Sequence, residues 1–266
     1  MRRAKEHYNY LISAGYDVIC TCLQGSQNYG LDEYSQEYQS DVDTKSIIAP
    51  SLDDMINASP PISTVEILEN NEHAEVKDIR IMFEMFKKMN ISYIELLYSD
   101  YIIINPKWED YIIELFGMRD RISALNKNQL LRCIAGMAYE KEKALCHPYP
   151  GIIDKIEKYG YDGKQLSHII RLFIFMNKYV NGLPIKECYK IKTEEARTML
   201  INLKKQLDWL SKEDAVKLSR GFVEGIKVLK DANLLPHDEV DKEVIEILNK
   251  IKYDIIKEKM RRALSC

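Results

Sequence analysis

No run of apolar residues in this sequence approaches the length needed to span a bilayer, and Met1-Arg2-Arg3-Ala4-Lys5 is not followed by the apolar core of a secretory signal. A membrane span and a secretory route are therefore not expected, and a cytoplasmic protein is. The six cysteines, at 20, 22, 133, 146, 188 and 266, include no Cys-x-x-Cys pair, so reduced thiols are expected rather than a disulfide framework. Cys146-His147 has no companion pair nearby that would complete a metal site. Glycine and proline are scarce, at 11 and 8, and there is no repeat, low-complexity tract or Ser/Gly linker, which argues against disorder. Neither sign of charge dominates: 38 Lys and Arg face 41 Asp and Glu, for a net charge of −3. That balance disfavours a protein that coats nucleic acid non-specifically, while leaving a local basic face open.

What remains is an ordinary globular composition, 46% hydrophobic and 30% charged over 266 residues, enough for one large core or two modest ones. The first half mixes strand and helix patterns. Residues 2–14 read as an amphipathic helix ending at Gly15, and Tyr16–Leu23 as a strand. A short helix follows around Gln27–Leu31, and a second strand over Asp41–Ile48. Residues 62–77 alternate like a hairpin, with Glu69-Asn70-Asn71-Glu72 as its turn. Asp78 is placed to cap a helix over Ile79–Met89, and Tyr101–Ile104 is a short apolar strand. Beyond Pro106 the pattern is helical almost throughout, over 107–117, 124–145, 148–159, 163–181, 193–210, 212–232 and 238–262. The expected architecture is an α/β (α+β) domain with a mixed sheet over residues 1–115, followed by an all-helical domain over 116–266. The two are expected to share a cleft.

Chemistry concentrates in Gly25-Ser26-Gln27-Asn28-Tyr29-Gly30-Leu31 followed by Ser40-Asp41-Val42-Asp43. Small residues after a strand let the backbone turn sharply and bring N–H groups close to a ligand. In a strand, alternate side chains share a face, so Asp41 and Asp43 are expected to point the same way while Val42 enters the core. Asp is depleted in strands, so a pair beside apolar neighbours calls for a reason beyond solvation. Two carboxylates next to a phosphate-sized nest suit Mg²⁺, which prefers a few carboxylates plus substrate phosphate oxygens. Ser26 can cap the short helix and touch phosphate with the same set of exposed groups.

These residues resemble the nucleotidyltransferase superfamily that includes DNA polymerase beta, whose signature is Gly-Ser, a spacer, then Asp-x-Asp on a strand. Gly25-Ser26 and Asp41-Val42-Asp43 fill those positions, with a spacer long enough to imply a small loop insertion at Asp32–Gln39. Gly-Ser-x-x-Tyr-Gly-Leu before Ser-Asp-x-Asp looks more specifically like the RNA-repair-associated family of predicted nucleotidyltransferases. Gly160-Tyr161-Asp162-x-Lys164, then His168 and Arg171, looks like that family's helical-domain motif, and Asn90 with Glu95-Leu96-Leu97 matches another of its blocks, with Ile91 in place of a Pro. The matches run from about Val18 to about Gly182, and the last third of the chain carries no such motif.

The resemblance implies a third carboxylate on a neighbouring strand. Glu75, mid-strand with apolar neighbours, is the first candidate, Asp78 the second and Glu66 the third; the plain alternative for Glu75 is a solvated position on a half-exposed hairpin. Asp41, Asp43 and Glu75 would then be catalytic and hold two Mg²⁺ ions, with Mn²⁺ as a substitute. Gly25 and Ser26 would cradle the phosphates of an NTP. Lys164, His168 and Arg171 fall at i, i+4 and i+7 on one helix face and would reach the triphosphate or acceptor from the helical domain. From physics alone such a stripe is more often a solvated basic face. Lys141 and Lys143 read as surface positions, and the basic run Lys257–Arg262 as a complement to its helix dipole. The implied reaction moves an NMP from an NTP to an acceptor hydroxyl, an RNA end or a protein. A catalytically silent nucleotide- or RNA-binding module is the reading from another class.

Overall fold

The computed structural model describes residues 1–34, 39–68, 71–206, 210–232 and 240–265. The chain forms two compact units, one of Met1–Asn28, Asp32–Asn126 and Glu239–Cys266, the other of Tyr29–Leu31 and Lys127–Asp238.

In the first unit, α1 (Arg2–Ser13) buries Ala4, His7 and Leu11, spaced at three and four residues, which turns one face of the helix inward. Then come β1 (Val18–Gln24), the single turn α2 (Ser26–Tyr29), β2 (Asp43–Ile48), α3 (Leu52–Ile56), β3 (Ser63–Ile67) and β4 (His73–Asp78). After them come α4 (Ile79–Lys87), α5 (Ile91–Ile94), a 3₁₀ turn over Glu95–Tyr98, β5 (Ile102–Ile104), α6 (Glu109–Gly117) and α7 (Arg119–Ser123). The five strands form one mixed sheet in the order β3-β4-β2-β1-β5. Among the described residues only β2 and β4 pair in parallel; β1 runs antiparallel to both β2 and β5, and β3 to β4. β1 is buried along its whole length because strands flank it on both sides, whereas β3 at the edge alternates between exposed and half-buried.

Successive side chains on β2 show which elements cover the sheet. The Thr44 hydroxyl meets His7 Nδ1 of α1 at 2.9 Å, while the next residue, Lys45, donates from Nζ to the Ser92 carbonyl of α5 at 3.1 Å. Neighbouring strand residues face opposite ways, so α1 lies on one face and α5 on the other. Leu11, Val18, Ile48, Ala74 and Val76 pack together on the α1 side. Asp78 caps α4, accepting from the Arg80 amide at 2.8 Å, and α4 buries Ile79, Met82, Phe83 and Phe86.

β2 begins at Asp43, not at the expected Asp41. The β1–β2 ladder ends at the pair Gln24↔Asp43, because Gly25 (φ 76°) turns the chain out of β1 and leaves residues 41 and 42 nothing to pair with there. Val42 is still buried, packed with Ala4 and Leu23, but Asp41 is exposed and is not held by the ladder. Residues 35–38 of the expected insertion and 69–70 of the expected turn lie outside the described residues.

The second unit contains α8 (Lys127–Ala144), α9 (Ile153–Tyr159), α10 (Gly163–Val180), α11 (Ile185–Tyr189), α12 (Glu194–Lys205) and α13 (Lys212–Asp231). α10 is its centre and packs against α8, α11, α12 and α13. The Asp162 side chain caps α10 by accepting from the Lys164 amide at 3.0 Å. The approach of α12 is so close that a β-carbon at Gly163 would fall on the Leu203 carbonyl oxygen. Leu145, Tyr161, Leu166, Ile170, Leu200, Leu203 and Ala215 form the core there. The expected helix 193–210 ends at Lys205, where Gln206 takes a left-handed cap, and residues 207–209 lie outside the described residues.

The last helix, α14 (Lys242–Leu264), belongs to the first unit, so the expected division at residue 115 gives way to a chain that leaves that unit and returns to it. Its buried stripe of Val244, Leu248, Ile251 and Ile255 packs on α3, α4 and α6. Lys87 Nζ to Asn249 Oδ1 at 2.7 Å and Lys259 Nζ to Asp17 Oδ2 at 2.6 Å add polar ties to that packing.

Candidate active site

The Gly25 turn sets the geometry of the first unit's site. A β-carbon built on Gly25 would lie 3.6 Å from Asp43 Oδ2, so the carboxylate stands directly beside backbone that has no side chain. The left-handed φ makes any other residue strained here. The Gly25 amide donates to Glu95 Oε1 at 3.3 Å. Asn28 holds the turn from below, its Nδ2 donating to the Leu23 carbonyl at 2.8 Å. Asp43 Oδ1 accepts from the His73 amide at 3.4 Å, with His73 Nδ1 also 3.4 Å away. Asp41 presents an exposed side chain, while its carbonyl accepts from Gln27 Nε2.

Glu75 is placed differently. In the parallel ladder it pairs with Lys45, which puts both on the face that carries Asp43. Its Oε1 accepts from Gln24 Nε2 at 3.0 Å, and its Oε2 lies 3.3 Å from Lys45 Nζ and 3.7 Å from Lys77 Nζ. Burial alone would raise its pKa, but Lys45, the Gln24 hydrogen bond and Lys77 outweigh burial and hold the carboxyl below its ordinary value. Lys45 is itself buried, with Nζ 4.5 Å from the centre of the Tyr93 ring. Glu75 is thus the counter-ion of a buried lysine. The other two candidates are also engaged: Asp78 is buried against Arg80 (2.6 Å), and Glu66 accepts from the Tyr16 hydroxyl at 2.8 Å. Among the described residues, no three His, Cys, Asp or Glu side chains converge where they could hold one metal ion.

Sequence reasoning passed over Lys45 and Gln24, and took Glu72 only as a turn position and Glu95 only as a motif position. Lys45 and Gln24 meet Glu75, and Glu95 meets the Gly25 amide, across 30 to 70 residues of chain, so no local signal marks them.

In the second unit, Lys164 is exposed, His168 half-buried and Arg171 only 9% exposed. The Arg171 guanidinium carbon lies over Tyr29, 3.7 Å from the ring centre, and its Nε is buried with no hydrogen-bond partner among the described residues. A cation over an aromatic face is worth about 0.5–2 kcal/mol. Tyr29 stacks on Tyr189 at 6.4 Å, and Tyr189 meets Phe175 edge-on at 4.9 Å. Lys141 of α8 joins this group. Burial first, then Lys164 and Arg171, lowers its pKa. Burial, followed by Arg171, Lys141, Lys164 and Lys204, pulls His168 well below the ordinary imidazole value. The ring is therefore neutral near pH 7 among cations, an environment that an anion would relieve. Lys141, expected to be plain surface, was not legible because it reaches the cluster from another helix.

No family model and no curated protein sequence matches the chain. Among solved structures it is similar to a nucleotidyltransferase-like protein from Exiguobacterium sibiricum, at 12% identity and a TM-score of 0.31, covering 96% of this chain and 79% of that one. Among the described residues no helix is long and apolar enough to cross a membrane.

Proposed function

We propose that the chain is a metal-dependent nucleotidyltransferase that moves an NMP from an NTP to an acceptor hydroxyl, with an RNA end as the acceptor and pyrophosphate released. The observation that supports it best is the Asp43 carboxylate set beside the bare Gly25 turn. A partly exposed carboxylate next to backbone without a β-carbon leaves room for a phosphate and a hard cation together. In this reading Asp43 and the exposed Asp41 would supply carboxylate oxygens to one such ion, since Mg²⁺ habitually takes one or two of these plus water and substrate phosphate. Glu75 does not complete a second ion's site while Lys45 and Lys77 hold it. When bound, Mg²⁺ or Mn²⁺ supplies neutralising charge to the triphosphate and lowers the pKa of the acceptor hydroxyl.

The chain's own groups do the positioning. Gly25 would admit the phosphates, and the Ser26 hydroxyl, which donates to Gln27 Oε1 at 3.4 Å, would turn to one of their oxygens. In the second unit Lys164, His168 and Arg171, with Lys141, offer an anion-binding surface suited to triphosphate or RNA phosphate. The Arg171 Nε, buried and without a partner among the described residues, is the donor of this cluster that most needs such a ligand.

One observation favours a second reading. Glu75 neutralised by two lysines fits a catalytically silent module that binds nucleotide or RNA. The deciding experiment incubates the protein with each α-labelled NTP and Mg²⁺, offering mixed RNA or cell protein, with the Asp41→Ala, Asp43→Ala double variant as blank. Label on RNA supports the proposal, and label on protein redirects it to protein AMP transfer. Label on neither, with NTP still bound, selects the silent module.

A further inference from the structure

We infer that Glu72 is a positioning residue that clamps the backbone carrying Asp41 and Asp43, assisted by Arg3, His7 and Gln27. This rests on the nucleotidyltransferase reading of that carboxylate pair. β2 starts only at Asp43, so the segment bearing Asp41 lies outside the ladder and must be held some other way. Three side chains from three parts of the first unit hold it. Arg3 Nη2 of α1 donates to the Ser40 carbonyl at 3.0 Å, Gln27 Nε2 donates to the Asp41 carbonyl, and the Val42 amide donates to Glu72 Oε1 at 2.7 Å. Three successive residues are thus each gripped through the main chain and not through the Asp41 carboxylate, while among the described residues Asp43 Oδ1 meets only His73, at 3.4 Å.

Glu72 is the centre of the clamp. It is 1% exposed, so its charge is tolerable only when paired. Arg3 forms an ion pair with its Oε1, and His7 Nε2 lies 3.0 Å from its Oε2. A carboxylate only accepts, so His7 Nε2 carries the proton. In the neutral ring Nδ1 then accepts from the Thr44 hydroxyl, 2.9 Å away on the residue after Asp43. The clamp therefore reaches both sides of the Asp-x-Asp step, from Ser40 to Thr44. A group that only stabilised the fold would have no need to end on the backbone between the two aspartates.

The test uses the full chain as wild type, Glu72→Ala, Glu72→Gln and Asp43→Ala, each first shown to be folded by circular dichroism. Glu72→Asp replaces Glu72→Ala should the latter not fold, since it keeps the charge but withdraws the oxygen from Val42. Two readouts are taken: hydrogen exchange at the Val42 amide, and binding of Mn²⁺ alone followed by electron paramagnetic resonance. A lost hydrogen bond to a charged acceptor predicts Val42 exchange faster by about 10- to 100-fold in Glu72→Ala. Loss of a group that orients metal ligands predicts Mn²⁺ binding weaker by about 10- to 100-fold. Glu72→Gln, whose amide oxygen can still accept from Val42, returns both to within about threefold of wild type. Unchanged Val42 exchange overturns the clamp. Faster exchange with Mn²⁺ affinity unchanged overturns its role in positioning the carboxylates. Mn²⁺ binding that is equal in wild type and Asp43→Ala overturns the nucleotidyltransferase reading instead, and the clamp is then decided by Val42 exchange alone.

Discussion

Replacing Glu75 by Gln in metal-free protein separates a lysine's counter-ion from a metal ligand by the sign of one number. Glu75 Oε2 lies 3.3 Å from the Nζ of Lys45, whose side chain is 4% exposed, and Glu75 itself is 28% exposed. Removing one partner of a fully buried ion pair costs about 3–5 kcal/mol, because the other charge is stranded. Two features reduce that here: solvent reaches Glu75, and Lys45 keeps the Ser92 carbonyl and the Tyr93 ring. About 2 kcal/mol is the resulting expectation, and at roughly 2–4 °C per kcal/mol for a unit of this size the melting temperature falls by about 4–8 °C. A carboxylate crowded against Asp41 and Asp43 to share a metal behaves oppositely, since neutralising it in the absence of metal relieves repulsion and raises the melting temperature. The assay is thermal unfolding by calorimetry in chelator at pH 7, on wild type, Glu75→Gln, Lys45→Met and the double variant. The double variant should recover most of the loss, giving a coupling energy of the order of 1 kcal/mol or more. The difference between wild type and Glu75→Gln is also pH-dependent. Because the folded pKa is depressed, the stabilisation is present above the unfolded value of about 4.3 and fades as pH falls through the lower folded value. A melting temperature that rises or does not move on Glu75→Gln refutes the counter-ion assignment.

Three further outcomes are expected. Gly163→Ala drives a methyl into the Leu203 carbonyl and to 2.6 Å from Gln206 Cγ, and should destabilise the second unit by about 1–3 kcal/mol or more in denaturant titration. Arg171→Met keeps packing volume over Tyr29 but removes the guanidinium. Binding of tripolyphosphate, measured by calorimetric titration at low salt, should weaken by about tenfold or more, as expected for losing charge-assisted hydrogen bonds. His168, depressed in the folded state, takes its proton in the unfolded chain first, so its contribution is fully present above about pH 6.5 and is lost as pH falls towards the folded value. Melting curves across that range should show a shallower loss in His168→Asn than in wild type; His7, also depressed by burial, adds a slope of the same sign that both proteins share.

Where residues act through near neighbours, the chain could be read directly. The turn at Gly25, the Asp78 cap on α4 and the hairpin of β3 and β4 all follow from preferences acting over a few residues. The i, i+4, i+7 spacing of Lys164, His168 and Arg171 put them on one face of α10 for the same reason. The start of β2 escaped this reading, because a strand residue needs a partner, and the partner strand stops at Gln24. Glu75 escaped it as well. Lys45 lies thirty residues earlier and meets Glu75 only through the parallel register of β2 and β4.

The sequence by itself determined the mixed α and β first half, the helical remainder, the bare turn beside an aspartate and a helix face of cations, because each is written in spacing and side-chain size. Tertiary structure alone decided that α14 rejoins the first unit, that Glu75 neutralises a buried lysine and that Glu72 grips the Val42 amide. An apolar stripe or a lone carboxylate specifies that a partner is needed but not which one. That choice is made by register and burial, which bring together groups far apart along the chain and expel the water that would otherwise satisfy them.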